Sequence, residues 1–149
     1  MLHWTLSAFD KLSLTELYAI MRLRQEVFVL EQKCPFIDAD GKDQASYHLS
    51  GYLDNDIAAY ARIVPPGVIY KEPSIGRIVT ATKHRQAGYG KQLMEKSLRE
   101  TENFFGNTAI RIMAQQYLKR FYEYYGFKQL GEPFLEDDIW HIIMLRPAL

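Results

Sequence analysis

Between Ile75 and Lys91 the chain passes from a β-branched stretch through a short link into a glycine-punctuated turn, Arg85-Gln86-Ala87-Gly88-Tyr89-Gly90-Lys91, and on into an amphipathic segment. This order predicts a strand that feeds a helix across a tight turn, and so commits the chain to layered α/β packing. The turn also has chemistry of its own. First-turn helix amides lack an intrahelical acceptor, and the helix dipole adds roughly half a positive charge at that end. Glycines let the backbone approach a ligand closely, and Arg85 and Lys91 add charge. A phosphate or pyrophosphate is the occupant this chemistry favours. Two commoner phosphate loops do not fit. A Walker A loop needs Gly at Arg85 and Ser or Thr at Gln92, and a dinucleotide fingerprint needs Gly at Leu93.

The remaining pattern frames that turn. Strands are predicted at residues 4–9, 47–53, 57–64, 75–80, 109–113 and 139–145, with another beginning at Phe127. Asp54-Asn55-Asp56 suits a short hairpin between the second and third. Ser13-Leu14-Thr15-Glu16 has capping-box form ahead of a first helix, whose expected buried stripe is Leu14, Leu17, Tyr18 and Met21. Val27, Phe28 and Leu30 carry apolar content towards Gln32, and Pro35 ends the pattern. Helices are predicted at 88–102, with Leu93, Met94 and Leu98 inward and Gly106 as terminator, and at 117–125, ended by Gly126. Helices interleaved with hairpins predict an α/β fold around a mixed sheet.

Composition sets the broad class. At 149 residues, 48% hydrophobic and 24% charged, the chain is expected to form one domain over residues 1–149. Eighteen basic side chains balance eighteen acidic ones. That balance argues against a dedicated nucleic-acid binder or a basic membrane-surface protein. No stretch approaches the ~20 apolar residues of a membrane span. The single cysteine, Cys34, and an N-terminus without a secretory pattern point to the cytoplasm. The four histidines show no ligand spacing, so no metal site is expected.

A second constellation is Phe121-Tyr122-Glu123-Tyr124-Tyr125-Gly126-Phe127, an aromatic helix with a glycine end. Its Tyr122 phenol, with an ordinary pKa of ~10, is protonated at neutral pH and able to donate to a departing thiolate. The strand–Arg85-x-x-Gly88-x-Gly90–helix block followed by Phe121-Tyr122 and Gly126-Phe127 resembles the GNAT superfamily of N-acetyltransferases, the first segment its motif A and the second its motif B. The runs Leu23-Arg24-Gln25-Glu26-Val27-Phe28-Val29-Leu30-Glu31-Gln32, Cys34-Pro35, Asp38-x-Asp40-Gly41 and Asp137-Asp138-Ile139-Trp140-His141-Ile142 are similar to its ElaA-like branch.

The resemblance implies a mixed, mostly antiparallel sheet of six to seven strands flanked by about four helices and splayed between the fourth and fifth strands. Acetyl-CoA would enter that gap as cosubstrate. Its pyrophosphate would meet Arg85 and the amides of Gln86, Ala87, Gly88, Tyr89, Gly90 and Lys91. Its pantetheine arm would run along Ile78, Val79 and Thr80, with the Ile78 amide polarising the thioester carbonyl. Gln115, where many members carry Asn, would add an amide contact, and Tyr122 would be the general acid, turned out of the helix's core stripe. The implied activity is acetyl transfer to a primary amine of a small molecule or a protein. The alternatives are an acyltransferase with another donor, as in acyl-homoserine lactone synthases, and a non-catalytic acyl-CoA sensor. A homodimer is left open.

The resemblance leaves the general base unassigned. An alkyl amine with pKa ~10.4 is neutral in only about one molecule in 2,500 at pH 7, a cost of ~4.6 kcal/mol if deprotonation must precede attack. Glu31, Asp38, Asp40 and His141 are the candidates; the bland reading of Glu31 is a surface charge or a bridge to Arg24. The acidic loop around Asp38 and Asp40 is expected to face the acceptor and to favour cationic amines.

Overall fold

The computed structural model describes residues 1–149. Seven strands form two antiparallel sheets: β1 (His3–Ala8), β2 (Tyr47–Leu53), β3 (Asp56–Val64) and β4 (Ser74–Thr80) in that order, and β5 (Ile110–Gln115), β7 (Ile139–Arg146) and β6 (Lys128–Glu136) with β7 central. The sheets meet along β4 and β5, where one backbone bond, from the Arg111 amide to the Pro73 carbonyl at 3.1 Å, joins the two strands near their starts. The Arg111 guanidinium also holds Glu72 at 3.0 and 3.1 Å. Beyond that pinned end the strands have no ladder between them, which is the expected splay.

Three α-helices, rather than about four, flank the sheets: α1 (Leu14–Arg24), α2 (Tyr89–Phe105) and α3 (Lys119–Tyr124). The capping box of α1 forms in both directions, Glu16 N–H to Ser13 Oγ at 3.0 Å and Ser13 N–H to Glu16 Oε1 at 2.9 Å. Its buried stripe is not the expected one. Leu14 and Tyr18 are 87% and 72% exposed, whereas Ile20, Leu23 and Val27 pack against Tyr60, Val79 and Ala81. The packed face of α1 begins at Ile20 and continues into a π-helical run, Gln25–Glu31. Gln32 N–H to Val27 O and Cys34 N–H to Val29 O, both at 3.0 Å, are its i→i−5 bonds.

The main core lies between the sheets and α2, where Leu93 and Met94 meet Ala59, Ala61 and Ile75 on one side and Ile112, Phe127 and Ile142 on the other. Ser97 and Thr101 complete the buried face of α2, each satisfied by the carbonyl four residues back at 2.7 Å, and Leu98 packs half-buried against the same core. Gly106 ends α2 at φ 81, ψ −173, a region effectively reserved for glycine. The hairpin turn between β2 and β3 is the two residues Asp54-Asn55, because Asp56 pairs with Leu53. No helix is long and apolar enough to cross a membrane.

On the α1 side of the first sheet lies a polar cluster that sequence patterning did not reveal. Arg24 is fully buried and donates to Asp38 through Nε and to Asp43 at 2.7 Å. Arg62 of β3 holds Asp43 at 2.9 Å and Asp40 at 2.8 Å. Arg77 lies 2.8 Å from Asp38 and 3.4 Å from Asp40. The six side chains alternate in sign around a closed ring. The Arg77 Nε and Asp38 Oδ1 atoms are not aligned for a hydrogen bond, so that corner is a coulombic contact. Beneath the ring, His48 Nε2 donates to the Asp43 carbonyl at 2.9 Å and Nδ1 accepts from the Tyr60 hydroxyl at 2.7 Å.

These groups make stability depend on pH. Burial opposes the charges of Asp40 and Asp43, but hydrogen bonds and attraction from Arg62 and Arg24 outweigh it and hold both carboxyls below the ordinary range. Burial lowers His48, with Arg24 and Arg62 adding to the effect. All three hold fewer protons folded than unfolded, so their contribution is complete above the unfolded pKa and is lost as pH falls. Thermal unfolding should show Tm declining from about pH 6.5 as unfolded His48 protonates, then more steeply below about pH 4. A Tm unchanged between pH 7 and pH 5 would contradict a buried neutral His48.

Candidate active site

A cavity of about 740 Å³ opens where β4 and β5 part. β4 supplies one wall through Ile78, Val79 and Thr80, and the end of β5 supplies the other through Ala114 and Gln115. The π-helical run brings Val27, Phe28 and Glu31 over it, and the β6–β7 hairpin brings Glu136, Asp137 and His141.

The wall at β4 is shaped by a β-bulge. Tyr60 pairs with Val79 and Arg62 with Gly76, which leaves Ala61 opposite both Arg77 and Ile78. Arg77 sits at φ 51, a left-handed conformation unusual for a non-glycine residue. The extra residue reverses the alternation of the strand. Ile75 faces the main core whereas Val79, an even number of residues on, faces α1. Ile78 therefore lies at the point where β4 turns at the cavity wall. The bulge is held open by the contacts of Arg77 with Asp38 and Asp40.

The glycine-punctuated turn forms as the residues require. Gly88 is the N-cap of α2 at φ 79, and Gln86 stands at φ 70. The first turn-closing bond of α2 is from the Gln92 amide to the Gly88 carbonyl, and the amides of residues 86–91 donate to no protein acceptor. A Cβ on Gly88 or Gly90 would meet no protein atom, so their open side faces away from the packed protein. Such a row of unpartnered donors at a helix start suits a phosphate group. Residues 86–91 lie outside the cavity wall itself; Arg85 stands at the junction.

The residues singled out in sequence divide into groups. Ile78, Val79, Thr80, Arg85, Gln115 and Tyr122 line one cavity. Gln86, Ala87, Gly88, Tyr89, Gly90 and Lys91 form the adjoining turn. Arg85 is not a free cation: it makes a two-pronged bridge to Glu31 at 2.6 and 2.9 Å and donates to the Thr80 carbonyl. Glu31 thus pairs with Arg85 and not with Arg24, whose guanidinium belongs to the ring. Gln115 donates to Gln32 at 3.1 Å. Consecutive residues at the end of the π-helical run therefore grip both lips of the split.

Tyr122 is not turned out of the core stripe as expected. It is 6% exposed, its ring belongs to the main core, and it still forms part of the cavity wall. Its ring meets those of Phe121 and Phe127 edge-on, which holds it between core and cavity. Burial pushes the phenol well above its ordinary pKa, with Tyr117 adding a smaller effect, so it stays a proton donor.

The acidic loop also differs from expectation. Asp38 and Asp40 are neutralised within the ring, so they lend the acceptor side no net negative field. Glu136 and Asp137, on the cavity rim, have no cationic partner. Sequence reading missed both, and it missed Arg77 and the bulge. The one available sign was a charged residue beside Gly76 in a strand otherwise uncharged.

Comparison with known proteins agrees with this geometry. Residues 36–146 match the family model of the acetyltransferase (GNAT) domain. A UPF0039 protein of Synechocystis is 37% identical over 97% of this chain and 94% of its own length. Protein ElaA of Escherichia coli is 34% identical over 100% of this chain and 99% of its own, and its crystal structure superposes with a TM-score of 0.92 over 98% and 99% of the two chains. The crystal structure of an acyl-CoA N-acyltransferase from Pseudomonas aeruginosa gives 0.94 at 41% identity, covering 98% of this chain and 99% of that one.

The bulge can be probed through Arg77. Arg77→Gly removes its ion pairs and relieves the left-handed strain that any Cβ carries at φ 51, whereas Arg77→Val removes the pairs and keeps that strain of roughly 1–2 kcal/mol. Urea denaturation should rank both wild type and the glycine variant above the valine one, the glycine variant by about that margin. Equal stability of the two variants would argue against a strained bulge at this residue.

Proposed function

This chain belongs to the GNAT acetyltransferase family, and from that membership we propose that it transfers the acetyl group of acetyl-CoA to a primary amine of a small molecule or a protein. The observation that carries the reading is the junction of the split between β4 and β5 with the row of unpartnered amides at residues 86–91. One accepts a flat, extended arm alongside a strand; the other accepts a pyrophosphate.

On this reading each group has a physical task. The amides of Gln86, Ala87, Gly88, Tyr89, Gly90 and Lys91 hold the pyrophosphate, and Arg85, already held by Glu31, shapes the turn more than it supplies free charge. Val79 and Thr80 present backbone to the arm. The Ile78 amide, at the bulge, is the donor towards the thioester oxygen, where negative charge develops during attack. Tyr122 supplies a proton to the departing sulfur. The amine acceptor enters from the side of the β6–β7 hairpin, where Glu136 and Asp137 attract a cation. That attraction weakens with salt, since both carboxylates are exposed.

Two variants test the machinery. Gly88→Val places a β-branched residue at positive φ and disturbs the amide row, so calorimetry should show CoA binding lost while unfolding stays cooperative; undiminished binding would remove the assignment of the turn. Tyr122→Phe deletes one oxygen and keeps the ring packing. Its kcat should fall by about 10²–10⁴-fold with CoA affinity nearly unchanged, while Tyr125→Phe stays close to wild type. Full activity of Tyr122→Phe would assign the proton to water. A protein that binds CoA but acetylates no amine in a broad panel would be a sensor.

A further inference from the structure

The acetyl-transfer reading, on which this inference rests, leaves one proton unassigned. An acceptor amine arrives as an ammonium ion and has no lone pair with which to attack. Of the candidate bases on the cavity wall, three carboxylates are already engaged. Glu31 is held by both prongs of Arg85 and by the Thr82 hydroxyl at 3.1 Å. Asp38 and Asp40 are corners of the arginine ring.

His141 differs. Its Nδ1 lies 2.7 Å from the Ile139 carbonyl oxygen. A carbonyl only accepts, so Nδ1 carries the hydrogen, and in the neutral ring the lone pair is on Nε2. Nε2 has no protein partner. The ring is stacked on Phe134, with centroids 6.1 Å apart at 24°, and His141 stands opposite Gln115 in the β5–β7 register. Tautomer and position are thus both set by neighbours, and the side chain lines the same cavity as Ile78 and Tyr122. We propose that His141 Nε2 is the general base that takes the proton from the acceptor amine.

The step balances. Nε2 accepts a proton from R–NH3⁺, and the freed lone pair forms the C–N bond at the thioester carbon. The C–S bond breaks, and its electron pair leaves on sulfur. Tyr122 protonates that thiolate and is itself replenished by the second proton leaving the amide nitrogen. The proton on His141 returns to water, so the net products are an N-acetyl amine, CoA thiol and one proton.

Other titratable and charged groups share this cavity: Glu31 with Arg85 beside it, the ring members Asp38, Asp40, Arg62 and Arg77, Lys42, Cys34, Tyr70, Tyr117, Tyr122, Glu136 and Asp137. Cys34 donates towards the Gln32 and Asp137 carbonyls, and burial pushes its thiol up, with Asp137 and Asp138 adding to the effect, so it stays protonated. Glu136 and Asp137 are the rivals, but no hydrogen bond fixes their side chains.

The test uses the full chain, the alkyl amine that wild type acetylates best from a panel, and hydroxylamine, which is already neutral at the assay pH. His141→Gln should lose about 100-fold or more in kcat/KM with the alkyl amine and less than tenfold with hydroxylamine, with CoA affinity by calorimetry unchanged. Raising the pH should restore part of the alkyl-amine rate in that variant, and added imidazole should restore part of it in His141→Ala. Equal losses with both nucleophiles, no loss, or the selective loss appearing instead in Glu136→Gln or Asp137→Asn would overturn the assignment. Failure of wild type to acetylate any amine would overturn the transfer reading itself.

Discussion

Three arginines and three aspartates, alternating around one closed ring, hold the loop before β2 against the end of α1 and the β3–β4 pair. Arg24 comes from the end of α1, Arg62 from β3 and Arg77 from the bulge of β4, while all three aspartates come from the loop before β2. A guanidinium with no exposed surface, as at Arg24, costs several kcal/mol to desolvate, and only well-placed counter-charges offset that cost. Burial therefore opposes the charge of Arg24, but hydrogen bonding to Asp43 and attraction from Asp38 and Asp43 hold its pKa above the ordinary value. The loop follows its path because each arginine needs a carboxylate there. The Tyr60 ring beneath Arg24, 5.9 Å away, and the His48 bond to the Asp43 carbonyl complete the floor of the ring.

The bulge is the part of this unit that reaches the site. A regular β4 would keep Ile75 and Val79 on one face and leave Ile78 within a continuous ladder. The extra residue at Arg77 swaps the faces and brings the Ile78 position to the cavity wall, and the ring supplies the contacts that make a left-handed arginine tolerable. The π-helical run acts in a complementary way. Its wider turn delivers Glu31 to Arg85 and is followed directly by Gln32, which meets Gln115, so the two lips of the split are spanned from above. Two departures from regular backbone, one in a strand and one in a helix, build the cavity between them.

Electrostatics divide the cavity accordingly. Acidic residues that look available in the linear chain, Glu31, Asp38 and Asp40, are consumed by structural pairing. Among the cavity's carboxylates and its histidine, those that stay unpaired lie on the β6–β7 hairpin: Glu136, Asp137 and the Nε2 of His141. The tight turn that carries Asp137 and Asp138, both at positive φ, aligns Glu136 with Ile139 and so sets the strand register that points His141 at the site.

By itself the sequence determined the order of strands and helices, the capping box at Ser13, the left-handed glycine at 88 with its row of free amides, and the aromatic turn around Tyr122. Each is a local matter, settled by residues within about one helical turn or one strand of each other, where side-chain period and backbone preference suffice. The tertiary structure alone decided the bulge at Arg77, the buried face of α1, the partner of Glu31 and which of the four bases considered from sequence keeps an unengaged proton acceptor. Those outcomes turn on contacts between residues 14 to 54 positions apart, such as Arg24 with Asp38 and Glu31 with Arg85. A charge in a linear sequence carries no mark of which opposite charge will neutralise it. That choice is made only when packing removes water and leaves each buried ion one partner within reach.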